Sequence, residues 1–100
     1  MKNAYTYILA NYCRTIFHIG STEDIDKRTV EHKDGSGSNY TREHLLIHLV
    51  YFENLSSLSN AIIREKQLRH MNQEALIDLI KSANPKMEDL SNDPKIKLGF

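Results

Sequence analysis

A glutamate in an apolar helical pattern is the first residue in this sequence that could do chemistry. Glu65 shares a predicted helix face with four apolar residues, Leu58, Ala61, Ile62 and Leu68. The pattern therefore places Glu65 in the middle of the face that the helix buries. An isolated buried carboxylate costs several kcal/mol, so it needs a hydrogen bond, an ion pair or a bound cation. A structural ion pair, a position at the edge of the apolar stripe and a cation site all fit this pattern.

A second polar set lies on an earlier predicted helix, which is expected to begin at Ser21 or Thr22. Asp24, Arg28 and His32 are spaced four residues apart, so they share one helix face. Taken alone, this helix favours a solvated face with an Asp24–Arg28 pair worth only tenths of a kcal/mol.

A tyrosine and a histidine are expected to face each other across a β-hairpin. If Ala10 pairs with Thr15, the antiparallel register places Tyr7 opposite His18, with both side chains on one face. An imidazole that titrates near neutral pH beside a phenol is the minimum for a proton relay, and it equally suits an ordinary buried hydrogen bond.

The elements that position these side chains follow from apolar periodicity, capping residues and turn residues. The predicted elements are strands over 4–10 and 15–20, a helix over 23–33, a strand over 45–53 buried on both faces, and helices over 58–70 and 73–83. The order ββαβαα predicts an α+β domain, a small three-stranded antiparallel sheet flanked by helices. The domain is expected to span 1–90, followed by a loosely ordered tail over 91–100.

Composition excludes several classes of protein. A chain of 100 residues with 40% hydrophobic and 26% charged residues is too short for a multidomain enzyme and too apolar for wholesale disorder. The single cysteine forms no internal disulfide, and no apolar run is long enough to span a membrane, so a cytoplasmic protein is expected. Lys and Arg number 13 against 13 Asp and Glu, so any phosphate contact must come from a local basic cluster.

Five short motifs in order identify a family resemblance. They are Tyr5-Thr6-Tyr7-Ile8-Leu9, Phe17-His18-Ile19-Gly20, Asp26-Lys27-Arg28 with Glu31-His32-Lys33, Arg64-Glu65-Lys66-Gln67-Leu68, and Asn84-Pro85. Together they resemble the small single-domain proteins of the GIY-YIG nuclease superfamily, over about Ala4 to Leu90.

The resemblance implies a role for each matching residue. Tyr7 matches the tyrosine that helps activate the attacking water, and Arg28 matches the arginine that contacts the scissile phosphate. His32 matches a histidine often found one turn later. Glu65 matches the metal-binding glutamate, the metal being typically Mg²⁺ or Mn²⁺, and Asn84 matches an asparagine that supports the site.

The second signature departs from the family, because His18 stands where the family has a tyrosine. An imidazole can act as a base near neutral pH, whereas a phenol has a pKa of about 10. The same change also fits a site with weakened or lost catalysis.

The expected function is a metal-dependent endonuclease that hydrolyses phosphodiester bonds in DNA, in repair or recombination. Basic residues concentrate near the predicted site, and Lys27, Lys33, Arg64 and Lys66 are the expected contacts to nucleic acid. A homodimer or a partner protein would supply substrate specificity. The alternatives are a nucleic-acid-binding domain with lost catalysis and a structural or interaction domain in which Glu65 simply pairs with Arg28.

Overall fold

Three antiparallel strands and two complete helices lie along the part of the chain that this computed structural model describes, residues 3–25, 27–28 and 45–91. The elements are β1 (Ala4–Ala10), β2 (Phe17–Thr22), β3 (His48–Leu55), α1 (Leu58–Arg69) and α2 (Gln73–Ala83). The strands form one sheet in the order β2-β1-β3. The α+β class is confirmed. Of the helix expected over 23–33, only residues 23–25 and 27–28 are described, and the expected tail, beyond Ser91, lies outside the described residues.

The central strand β1 divides the core into two layers, because its side chains alternate between the faces of the sheet. All seven of its residues are buried. One face carries Tyr5, Tyr7 and Leu9, which pack with Ile25, Leu46 and Leu49. The other carries Ile8 and Ala10, which pack with Leu68 of α1 and with Leu76 and Ile80 of α2. A strand apolar on both faces therefore occupies the middle of the sheet.

The hairpin register differs from the expected one by two residues. Ala10 pairs with Phe17 and not with Thr15, so Tyr7 lies opposite Gly20. A shift of two residues keeps every side chain on its face, since side chains alternate with period two. Tyr7 and His18 accordingly still share one face of the sheet, as expected.

The loop before β2 explains this shift. The side-chain oxygen Oδ1 of Asn11 accepts hydrogen bonds from the backbone nitrogens of Thr15 (2.8 Å) and Ile16 (3.1 Å). Arg14 adopts the left-handed conformation, with φ of 56°. These bonds hold residues 11–16 as a six-residue loop, so Thr15 and Ile16, which were expected in the strand, lie outside it.

Strand β3 begins three residues later than expected and contains a bulge. Leu45 has a φ of 53° and is exposed, so the residues before His48 form a turn instead of a strand. Leu9 pairs with Leu49 and Ile8 with Tyr51, which leaves Val50 as an extra residue in β3. The bulge puts Val50 and Tyr51 in the same core layer.

Helix α1 buries a narrower face than the apolar pattern predicts. Ala61 and Leu68 are fully buried, whereas Leu58 and Ile62 are 38% and 40% exposed. The hydroxyl of Thr6 donates to the backbone oxygen of Ala61 at 2.7 Å, and the small alanine allows this close approach to β1. The prediction that Leu58 and Ile62 belong to the buried face was wrong, because the buried stripe of the helix is limited to Ala61 and Leu68. No helix among the described residues is both long and apolar enough to cross a membrane.

Candidate active site

The carboxylate of Glu65 lies between a hydroxyl and a guanidinium. The hydroxyl of Ser21 donates to Oε1 at 2.7 Å, and Nη2 of Arg69 lies 3.0 Å from Oε2. The Glu65 side chain is 19% exposed. The carboxylate has partners, as the apolar pattern required, but it is only partly buried and does not lie in the middle of a buried face. Sequence reasoning missed both partners, although Arg69 is four residues after Glu65 on the same helix and was detectable by that spacing.

Ser21 connects Glu65 to a cleft that carries two basic side chains. The cleft has a volume of about 350 Å³, and Ser21, Lys27 and Arg28 line it together with Leu58 of α1. Lys27 and Arg28 are exposed. The structure thus brings the predicted phosphate-binding arginine to the cleft whose wall includes the serine that donates to Glu65.

The first turn of the helix that carries Arg28 is capped by Asp24. Its Oδ1 accepts from the backbone nitrogen of Lys27 at 3.0 Å, and the nitrogen of Arg28 donates to the Asp24 backbone oxygen at 3.1 Å. The helix was expected to begin at Ser21 or Thr22, but Thr22 ends β2 and its hydroxyl accepts from the nitrogen of Asp24. Because Asp24 is the cap, the Ser21 side chain is available for Glu65.

Tyr7 and His18 are neighbours on the opposite face of the sheet. Their ring centroids are 6.3 Å apart, with the ring planes at 52°. Tyr7 is only 4% exposed, and its phenol lies across Gly20, where a Cβ would stand 2.5 Å from the hydroxyl oxygen. Ser21 pairs with Thr6, so its side chain points to the face covered by α1. The Tyr7–His18 pair and Glu65 therefore lie on opposite faces of the sheet. The phenol of Tyr7 passes over β2 at Gly20.

Asn84 fastens the end of α2 to the bulged strand. Its side-chain nitrogen donates to the backbone oxygens of Val50 (2.9 Å) and Glu88 (2.8 Å), and its oxygen accepts from the nitrogen of Glu88 (3.2 Å). The side chain is buried at 7% exposure. Val50 is the extra residue of the bulge, so Asn84 satisfies a carbonyl group there. These contacts to backbone atoms hold the segment after α2 against β3.

Arg64 is held by a glutamate on β3. Its Nε and Nη2 donate to the carboxylate of Glu53 at 2.9 Å and 3.0 Å, and the hydroxyl of Tyr51 donates to the same carboxylate at 2.5 Å. Burial raises the pKa of Glu53, but the hydrogen bonds from Arg64 and Tyr51 outweigh burial and lower it overall. Burial and the bond to Glu53 raise the pKa of Tyr51 to about 12. Arg64 thus has a structural partner, while Lys66 on the same helix is exposed.

The donors at Glu65 suit a hard cation that keeps most of its water. A carboxylate and a hydroxyl are oxygen ligands, and Mg²⁺ is commonly bound through one or two carboxylates with several waters retained. Within residues 3–25, 27–28 and 45–91 there is no group of three His, Cys, Asp or Glu side chains that could form an all-protein metal cage. The residues present suit a divalent cation that is held by Glu65 and completes its coordination with water. His32 and Lys33 lie outside the described residues.

Comparison with known proteins places this geometry in a family. A family model described as the GIY-YIG catalytic domain matches residues 3–75. A UPF0213 protein from Syntrophus aciditrophicus (strain SB) is 37% identical over 86 residues, which cover 85% of this chain and 97% of the relative. A UPF0213 protein from Haloquadratum walsbyi is 33% identical over 73 residues, 72% of this chain and 82% of the relative.

A solved structure has the same fold. The solution NMR structure of the UPF0213 protein BH0048 from Bacillus halodurans matches with a TM-score of 0.55 and 26% sequence identity, and the match covers 92% of this chain and 97% of that one. The names of these relatives state no activity. The family model spans both signature strands, Arg28 and Glu65. The chain therefore belongs to the GIY-YIG nuclease family, as the order of its motifs predicted.

Proposed function

We propose that this protein is a divalent-metal-dependent endonuclease that hydrolyses phosphodiester bonds in DNA, with a role in repair or recombination. The observation that carries the proposal is the position of Ser21, which donates to Glu65 and lines the cleft of Lys27 and Arg28. The Glu65 carboxylate, which suits a cation, and the Arg28 guanidinium, which suits a phosphate, thus both lie near the hydroxyl of Ser21. This pairing is what a metal-assisted phosphodiesterase requires.

Arg28 and Lys27 bind the DNA backbone in this proposal. The guanidinium of Arg28 is exposed in the cleft, and its donors match two oxygens of one phosphate. Lys27 adds a point charge for the neighbouring phosphate. Ser21 holds the carboxylate of Glu65 in place, and Mg²⁺ or Mn²⁺ at Glu65 would supply Lewis-acid stabilisation of the charge that develops on the phosphate.

In this proposal Tyr7 and His18, which the pleat separates from Glu65, handle the proton of the attacking water, because the Tyr7 phenol crosses the edge strand β2 at Gly20, next to Ser21. The phenol of Tyr7 is fixed by burial against Gly20, so it can orient a water molecule at little entropic cost. The imidazole of His18 lies beside it and is the residue type that accepts a proton near neutral pH. His32 stays a second candidate to assist Tyr7, and Lys33 and Lys66 stay expected contacts to DNA because basic residues concentrate near the site.

Two observations favour a second candidate, a DNA-binding domain without catalysis. His18 replaces the second signature tyrosine, and Arg69 already neutralises Glu65. With zero formal net charge, binding in either case is expected to be weak and to depend only slightly on salt, unless a second copy or a partner protein adds phosphate contacts.

Cleavage assays with a matched pair of variants test the proposal. Single-stranded, duplex, nicked and branched DNA are incubated with Mg²⁺, Mn²⁺ or EDTA, using the native protein, Glu65→Gln and Glu74→Gln. Glu74 is an exposed glutamate in the first turn of α2, so its variant makes the same chemical change away from the cleft. We expect metal-dependent cleavage by the native protein and by Glu74→Gln, and none by Glu65→Gln.

The outcomes separate the candidates. Cleavage that persists in Glu65→Gln refutes the assignment of the metal site. Binding of DNA without cleavage under every metal condition selects the non-catalytic candidate. Preferential cleavage of branched or nicked DNA over intact duplex supports the role in repair or recombination, and equal cleavage of all four substrates contradicts it.

A further inference from the structure

We infer that Arg69 is the counterion of Glu65 in the metal-free protein and that it exchanges this carboxylate for a substrate phosphate when a divalent cation binds. The inference rests on the proposed function and adds a residue that couples the cation to DNA. In this view Glu65 has two alternative cations, the guanidinium of Arg69 and the metal. The chain thereby avoids a buried charge without a partner in either state.

The burial of Glu65 makes a counterion necessary. Its side chain is 19% exposed, and Ser21 supplies a hydrogen bond but no charge. A partly buried carboxylate is much less stable without a cation nearby. Arg69, at 3.0 Å from Oε2, supplies this charge in the described structure. A divalent cation on the same carboxylate would repel the guanidinium, so the two cations compete for one site.

The guanidinium of Arg69 is placed so that it can move away from Glu65. Its side chain is 55% exposed, so a phosphate in solution can reach the guanidinium. Its Nη2 lies beside the carboxylate of Glu65 and donates to the backbone oxygen of Ile19 at 2.9 Å. An arginine carries five N–H donors in a planar fork, which matches the oxygens of a phosphate. Substrate therefore offers Arg69 a replacement for the carboxylate that it gives up.

The exchange makes metal binding and DNA binding depend on each other. Linkage requires that DNA raise the affinity for the cation by the same factor by which the cation raises the affinity for DNA. In the absence of DNA, Arg69 holds the affinity for metal down. The protein then binds metal tightly only when a phosphate of the substrate is present. The metal-bound form is therefore restricted to the complex with DNA.

Metal binding without DNA tests this directly and does not depend on activity. Mn²⁺ affinity is measured by calorimetric titration for the native protein and for Arg69→Gln, Arg69→Lys, Lys81→Gln and Glu65→Gln. We expect Arg69→Gln to bind Mn²⁺ at least about fivefold more tightly than the native protein, because the competing charge is gone. Arg69→Lys keeps the charge and is expected to behave like the native protein. Lys81→Gln removes an equal charge from α2 and is expected to change nothing.

The comparison separates a failure of this inference from a failure of the proposed function. If Arg69→Gln binds Mn²⁺ no more tightly than the native protein while Glu65→Gln loses binding, the metal site stands and the exchange is refuted. If Glu65→Gln binds Mn²⁺ like the native protein, the metal site is refuted together with the exchange. A gain shared equally by Lys81→Gln also refutes the inference, since it would reflect overall charge. Thermal unfolding of each variant verifies that it is folded.

Discussion

Replacement of Gly20 by alanine is expected to displace Tyr7 and to lower stability. A Cβ at this position would stand 2.5 Å from the hydroxyl oxygen of Tyr7 and 2.6 Å from its Cζ. Both distances are far below van der Waals contact, and Tyr7 is 4% exposed, so the ring has little room to move. Overpacking of this kind costs about 2 kcal/mol. For a domain of this size, that loss lowers the melting temperature by about 8–16 °C.

A double-mutant cycle isolates the clash from other effects of the substitution. Melting temperatures and urea unfolding are measured for Gly20→Ala in the native background, with Tyr7→Phe and with Tyr7→Leu. Phenylalanine retains the ring carbon at 2.6 Å, so the cost of Gly20→Ala is expected to persist in that background. Leucine removes the ring, so most of the cost is expected to disappear there.

An equal cost of Gly20→Ala in all three backgrounds would refute the reasoning, because it would trace the loss to the backbone of Gly20. In the cleavage assay, Gly20→Ala is expected to lose more activity than its folded fraction explains, since the phenol would no longer be positioned. Activity that simply follows the folded fraction would contradict the role given to Tyr7.

Three further predictions concern other contacts. Asn84→Ala leaves the carbonyl of Val50 and two backbone groups of Glu88 without their partner, so urea unfolding is expected to show a loss of about 2–4 kcal/mol; a loss below about 1 kcal/mol would contradict the clamp. The lowered pKa of Glu53 means that its contribution to stability is present above its ordinary value of 4.5 and is lost as the pH falls through the lower folded value. Melting temperatures of Glu53→Gln are therefore expected to fall less steeply below pH 4.5 than those of the native protein, and parallel curves would contradict this. Arg28→Ala is expected to reduce the single-turnover cleavage rate more than DNA affinity, whereas equal losses would make Arg28 a docking contact only.

The sequence predicts the type and order of the elements better than their ends. Strands and helices follow from apolar periodicity, which extends over many residues and survives local error. The hairpin register depends on the side chain of Asn11, whose two hydrogen bonds widen the loop. The start of β3 depends on the left-handed conformation of Leu45, a residue type that rarely adopts it. Neither detail is encoded in periodicity.

For the site, the sequence predicts which polar residues need partners but not which partners they find. The apolar pattern predicts that Glu65 is buried and needs partners, and the structure gives it two partners but leaves its side chain 19% exposed. That Ser21 is a partner of Glu65 becomes visible only in the folded structure, because 44 residues separate the two in the sequence. Arg64 shows the reverse case. It was expected to contact nucleic acid, but its side chain pairs with Glu53 on β3. Contacts between distant segments decide these assignments.

The central position of β1 also determines the order in which the sheet assembles. Pairing β1 with β2 closes the six-residue loop 11–16, whereas pairing β1 with β3 closes residues 11–47, at an entropic cost higher by about 1.6 kcal/mol. We therefore expect the hairpin to form first and β3 to add to an existing template. Because β1 is hydrogen-bonded along both edges, its amides are expected to exchange with deuterium only on global unfolding. The strand that carries Tyr7 is then the last part of the molecule to open, so the phenol stays in place through the local fluctuations of its surroundings.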